Sequence, residues 1–309
     1  MQTPRSDLVP SLSLAFGAAL WGLYWIPIRA IEQSGVQAIW TGPVIFGASA
    51  LLFLPLLILR FRHYAAHWRH ILLPGLLAGF AFALYIASLN LTEVVRALLL
   101  FYMSPLWSTL LGMLVLRERL TTNRVIALLL AFGGLYIVLV VEDGLPVPRN
   151  TGDWFALLSG LCWSVASVKL FQDGARMILE KVITFVVCAM AMALVLVLWQ
   201  HGGLQDAPSL TVLRAGSPWI LLVALAMFPI VWLTIWPTTV LSPARVGMLL
   251  LVEVLVGVAS AAILLDEPFG LREMMGAILI LSAGVVEVVR QQTIDESGIV
   301  GDQDFMTED

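Results

Sequence analysis

The chain is poor in charge. Only 12% of its 309 residues are Asp, Glu, Lys or Arg, against about a quarter in an ordinary soluble domain. With so few basic residues there is no broad positive surface for nucleic acid. A water-facing surface of normal composition is excluded as well. At 60% hydrophobic residues and a mean hydropathy of +0.94, a soluble fold would leave far too much apolar surface in water. Cysteine is nearly absent. Cys162 and Cys188 both lie inside apolar segments, which suits small packing residues better than a disulfide or a metal pair. Catalytic signatures are missing too. There is no HExxH, no GxSxG and no pair of acidic residues inside an apolar run, so neither an enzyme nor a bound cofactor is expected.

What the chain does have is long apolar runs. Ten are expected to be helices, over 10–31, 38–59, 71–90, 94–116, 124–141, 153–171, 181–200, 217–237, 243–265 and 273–290. Each is roughly 18–23 residues, the length that crosses a ~30 Å hydrocarbon core. The loops are short and carry turn residues, as in "EDGLPVPRNTG" at 142–152. None is long enough to fold as a soluble domain. The fold class is therefore an all-α membrane protein, with the lipid bilayer as its surroundings. The polar start "MQTPRSDLVP" leads into a long apolar stretch with more spans behind it, which reads as a first span and not a cleaved signal. Residues 291–309, rich in Asp and Glu, read as a disordered acidic tail.

Short loops let Lys and Arg report orientation. Arg60, Arg62 and Arg69 follow the second span, Arg117, Arg119 and Arg124 the fourth, and Arg176 and Lys181 the sixth. Arg5 and Arg290 flank the two ends, while the other side holds Arg29, Arg96, Arg149, Arg214 and Arg272. Both termini are therefore expected in the cytoplasm, with the protein in the inner (cytoplasmic) membrane. "RHYAAHWRH" at 62–70 spaces His63, His67 and His70 at i, i+4 and i+7, a metal-ligand spacing. No carboxylate or cysteine stands beside them, so a basic loop is the reading and no metal site is assigned.

Sliding the chain by 149 residues lays "RALLLFYMSPLWSTLLGMLVLRERL" (96–120) over "RVGMLLLVEVLVGVASAAILLDEPF" (245–269). Arg96 then meets Arg245 and Glu118 meets Glu267. In both halves an Arg opens a long helix, a Glu closes it in a charged turn, and a last helix ends near glycine. "GAALWGLYW" (17–25) similarly rhymes with "SGLCWSVAS" (159–167). Five spans is an odd number, so a second copy enters the membrane from the opposite side. The expected organisation is two inverted five-helix repeats, 1–141 and 153–290, followed by the tail. Inverted repeats are a transporter architecture with the substrate near the midplane.

These residues resemble the drug/metabolite transporter superfamily, in particular its ten-helix EamA-type members. The stretches that carry the resemblance are "SPLWSTLLGMLVLRERLTTNRVIALLLAFGGLYIVL" (104–139) and "EVLVGVASAAILLDEPFGLREMMGAILILSAGVV" (253–286). Where many members read "L-E-P" at the start of the second copy, this chain keeps Glu253 and has Val254 in place of Pro. Its aromatic content is similar to that of the aromatic amino-acid exporters of the YddG type. The resemblance implies export of small metabolites from the cytoplasm.

Glu253 stands about ten residues into the ninth span, near mid-depth. A carboxylate there costs about 2.5–3.5 kcal/mol on insertion scales, so it is expected to face a cavity or a partner. It can hold structure through hydrogen bonds, couple a proton, or touch a substrate amine. Mid-depth cationic clamps of the kind a phosphorylated sugar needs are missing. The expected substrate is therefore small and neutral or zwitterionic, with aromatic or other apolar amino acids favoured. Trp21, Tyr85, Tyr102 and Trp163 lie away from the span ends, where an interfacial belt does not reach. With Asn90 and Glu253 they form the candidate substrate-binding set; none is assigned a catalytic role. Other drugs or metabolites moved by the same superfamily, and a channel or a membrane-embedded enzyme, are the competing readings.

Overall fold

The computed structural model describes residues 7–92, 94–139, 148–201, 206–265 and 274–287, with residues 203, 270 and 271. The tail at 291–309, Glu267 and the turn around it lie outside the described residues. The described chain is all helix: α1 Leu8–Gly22, α2 Trp25–Gln33, α3 Ala38–Leu59, α4 Phe61–Leu91, α5 Val94–Phe101, α6 Ser104–Val115, α7 Thr122–Leu139, α8 Thr151–Asp173, α9 Ile178–His201, α10 Leu210–Thr238, α11 Pro243–Leu250, α12 Val252–Leu265 and α13 Met274–Glu287. These segments make ten spans, because α1–α2, α5–α6 and α11–α12 are each one span with a break. Eight spans are long and apolar enough to cross a bilayer; α7 and α13 are shorter apolar helices. The molecule is an all-helical, multi-pass membrane protein.

The ten expected helices fall on these ten spans, with two informative differences. First, "RHYAAHWRH" is helical: α4 starts at Phe61 and kinks at His67, where φ is −125° and ψ is 19°. His63 and His67 keep their rings 4.6 Å apart. His63 lies 3.8 Å from Glu180 and His70 lies 3.8 Å from Asp173. Among the described residues no group of three or more His, Cys, Asp or Glu gathers at metal-binding distance. Second, three spans read as continuous are broken. Pro27 has no N–H to give Leu23, and Ile26 N–H bonds the Leu23 carbonyl in a tighter turn instead. Pro105 likewise leaves the Phe101 carbonyl without its helical donor. At Leu251 the same tightening appears, with Val254 N–H donating to the Leu251 carbonyl, and no proline is involved.

Burial is arranged for lipid. Leu59 is 81% exposed and Ile263 is 78% exposed, while Ser88, Ser159, Ser164 and Ser167 are buried. Apolar side chains outside and small or hydroxyl side chains between helices are what a bilayer solvent selects. Gly75 and Gly79 show the close approach. A methyl added at Gly75 would stand 2.6 Å from Thr184 Cγ2, and one at Gly79 would stand 2.7 Å from the Phe185 carbonyl oxygen. The third and seventh spans touch there backbone to backbone.

Across the middle, α1 packs on α10, α11 and α12, while α8 packs on α4, α5 and α6. Similarly α3 packs on α10 while α9 packs on α4, and α3 meets α9 and α6 meets α11. The ends are tied by ions. At one end Arg245 Nη1 donates to Asp7 Oδ2 at 3.1 Å. At the other, Arg96 Nη2 donates to Asp153 Oδ2 at 2.6 Å, with Thr92 Oγ1 and the Arg149 N–H also donating to that carboxylate. Arg124 joins Glu118 at 2.7 Å and Glu287 at 3.4 Å, and Arg60 pairs with the buried Glu180.

Candidate functional site

The three broken spans converge on the middle of the bundle. A methyl at Gly22, where α1 ends, would stand 2.5 Å from the Glu253 carbonyl oxygen. Ser164 Oγ of α8 donates to the Ser104 carbonyl at 3.0 Å, and a methyl at Gly160 would stand 2.5 Å from the Phe101 carbonyl oxygen. Gly247 of α11 would bring a methyl to 2.8 Å from Pro105 Cα. Residues without a side chain let four backbones meet at the breaks.

Between them lies a cavity of about 50 Å³ whose wall includes Trp21, Phe82, Tyr85, Phe101, Trp163, Phe185, Thr234 and Glu253. Its wall is aromatic and apolar, with one carboxyl. The rings pack on one another: Trp21 and Phe82 centroids are 4.7 Å apart, and Tyr85 and Phe101 are 4.6 Å apart. Trp21 Nε1 donates to Thr234 Oγ1 at 3.0 Å, which fixes the indole of α1 against α10.

The break at Leu251 matters for Glu253. It makes Glu253 the second residue of α12 and puts its carboxyl in a first helical turn. N–H groups at a helix start have no intrahelical acceptor and carry partial positive charge. A carboxylate there gains about 0.3–1 kcal/mol, and up to ~2 kcal/mol when partly buried. That offsets part of the cost of its depth. Among the described residues no Lys, Arg or His stands within 4 Å of it. Arg96 and Arg245, buried at the two ends of the bundle, are engaged with Asp153 and Asp7.

Of the residues singled out in the sequence, Trp21, Tyr85, Trp163 and Glu253 share this wall. Tyr102 is fully buried behind it, with its ring against Phe101 at 5.0 Å and its hydroxyl facing the Glu253 carboxyl without reaching hydrogen-bond geometry. Asn90 falls in the last turn of α4; its side chain lies outside the described residues. The Trp163 N–H and the Tyr102 hydroxyl are buried without a hydrogen-bond partner. Sequence reasoning missed Phe82, Phe101, Phe185 and Thr234. A phenylalanine in an apolar span gives no signal of which way it faces. Thr234 did have one, as the hydroxyl residue nearest the middle of the expected span 217–237.

Residues 9–140 match the EamA-like transporter family. Over 154 residues the chain is 30% identical to an uncharacterized transporter of Vibrio cholerae serotype O1. That match covers 48% of this chain and 51% of that protein, so the chain spans about half the length of this relative. A crystal structure of a protein superposes with a TM-score of 0.66 over 90% of this chain and 97% of that one, at 18% identity, a likeness of fold. The matched family and the Vibrio cholerae relative are both described as transporters.

Proposed function

We propose that the whole chain is a secondary transporter of the EamA type. In this reading two inverted five-helix repeats, 1–141 and 153–290, enclose one central cavity and expose it alternately to the two sides of the inner membrane. The substrate is a small neutral or zwitterionic metabolite that leaves the cytoplasm, and aromatic or other apolar amino acids fit best. The observation that carries this is the cavity itself. One carboxyl, with no cation at ion-pair distance among the described residues, sits at a helix start inside an aromatic wall where broken spans meet. An ammonium group suits Glu253, and an apolar side chain suits the rings. A cavity of about 50 Å³ holds only a few waters, so a solute of this class enters as the rings part.

The repeat has its own support. Sliding by 149 takes the break at Tyr102 onto Leu251 and takes Ser104 onto Glu253. Sliding the first span by 142 takes Trp21 onto Trp163 and Gly22 onto Ser164. Thus Ser164 meets the Ser104 carbonyl where Gly22 meets that of Glu253. The packing of α1 on the eighth and ninth spans is mirrored by that of α8 on the third and fourth. Even the end ties correspond, Arg96 with Asp153 at one end and Arg245 with Asp7 at the other. With the arginine-rich turns inside, both termini are cytoplasmic.

Counterflow in proteoliposomes tests the reading. Vesicles loaded with unlabelled L-phenylalanine or L-tryptophan should accumulate the labelled compound transiently and saturably, and Trp163→Ala should weaken apparent affinity several-fold, from the loss of roughly 0.5–1.5 kcal/mol of stacking. Flux that never saturates and shows no counterflow points to a channel. No flux of either compound removes the aromatic substrate class.

A further inference from the structure

A second cavity of about 120 Å³ lies between α2, the start of α3 and the end of α4. It sits towards the end of the bundle where α2 finishes at Gln33. Ile28 and Glu32 line it from one face of α2, with Tyr24 just before that helix, at i, i+4 and i+8. Thr41 and Phe46 face them from α3. Glu32 is half-buried and has no ion-pair partner within 4 Å among the described residues. Arg29, one turn earlier on α2, is exposed and does not line the cavity.

Aromatic rings that line this cavity pack directly on rings that line the central one. Trp21 and Phe82 face the central cavity, while Tyr24 and Phe46 face the outer one. The four form one layer: Trp21–Tyr24 centroids are 5.3 Å apart, Trp21–Phe82 4.7 Å and Phe46–Phe82 5.3 Å. Trp21 stands on α1, and Tyr24 in the break just before α2.

We propose that the outer cavity is a second binding site, selective for the ammonium group of a small solute, and that it receives from the central cavity across the Trp21–Tyr24–Phe82–Phe46 layer. This rests on the transporter reading for the direction of passage, but not for binding. Glu32 supplies the counter-charge, Tyr24 offers a ring face to the cation and Ile28 and Phe46 take the apolar body. The two carboxylates, Glu253 inside and Glu32 outside, give one solute two matched stations. An anion finds no cation on either wall.

The test is equilibrium binding to the purified full chain in lipid nanodiscs, with labelled phenethylamine and, in parallel, 3-phenylpropionate, which has the same ring and no ammonium. Phenethylamine should bind at two sites and 3-phenylpropionate at neither. Glu32→Gln should weaken one site roughly ten- to hundredfold, the loss expected of a charge-assisted contact, and leave the other unchanged. Glu253→Gln should do the converse, so each variant's retained site proves its fold. One binding site in the wild type, two unchanged sites in Glu32→Gln, or equal binding of 3-phenylpropionate would overturn the proposal. Normal two-site binding without counterflow would leave this site standing and sink the transporter reading instead.

Discussion

Glu253 is costly by depth and favoured by its place in the helix, and the balance decides what it can do. The start of α12 lowers the cost of its charge, and the aromatic wall leaves it facing a cavity. If it holds a substrate ammonium, Glu253→Gln keeps the shape and the helix but removes the charge. Binding of amine-bearing solutes should then fall roughly ten- to hundredfold, the worth of a charge-assisted hydrogen bond. Thermal stability should hold within about 1 kcal/mol, because no Lys, Arg or His lies within 4 Å of it among the described residues and the Tyr102 hydroxyl can face an amide as it faces the carboxyl. Radioligand binding and a melting curve on the same sample check both halves. Unchanged binding would reassign Glu253 to structure, and persistent flux that ignores a pH gradient would identify it as a proton carrier. The depth of Glu253 was legible because a carboxylate in "LLLVEVLVG" stands out. Its helix-start environment was not, because no proline marks the break at Leu251.

At the scale of elements, the breaks and the glycines act together. Gly22 ends α1 against the backbone of α12, and Gly160 sits against the freed Phe101 carbonyl. Gly22→Ala and Gly160→Ala should each push two spans apart and cost about 1–3 kcal/mol, read as a lower melting temperature. Gly133→Ala is the matched control: its methyl would meet nothing within 4 Å, and helix propensity alone favours it by about 0.5–1 kcal/mol. Equal stability of Gly22→Ala and Gly133→Ala would show that the α1–α12 contact is looser than described. Span number and position were readable from apolar run length, since the bilayer sets that length. Pro27 and Pro105 stand at two of the breaks, but α10 runs unbroken through Pro229 and Pro237, so proline alone did not mark them. The extension of α4 back to Phe61 was hidden, because Arg62, His63, Arg69 and His70 look like a loop by composition, while the carboxylates that meet His63 and His70, Glu180 and Asp173, stand on other helices.

Over the whole molecule, ion pairs hold the ends and aromatic rings fill the middle. Arg245 is 1% exposed and bonded to Asp7, 238 residues away. A double-mutant cycle with Asp7→Asn and Arg245→Gln should give a coupling energy of about 1–3 kcal/mol in thermal stability; additive losses would mean the contact does not tie the two spans. Arg96 and Arg245 each stand in the first turn of a helix, a placement readable in the sequence. Their partners were not, because Asp7 and Asp153 sit just before or inside other spans and no local pattern links them.

The central claim is that one cavity opens in turn to each side of the membrane. The most direct measurement places a single cysteine on its wall, Val231→Cys, in a chain with Cys162 and Cys188 replaced by alanine, in oriented vesicles. A membrane-impermeant maleimide is then applied from one face or the other. The account predicts labelling from both faces, slowed from both by bound substrate, with no leak of small ions. Labelling from one face only under every condition, or labelling accompanied by ion leak, would contradict it.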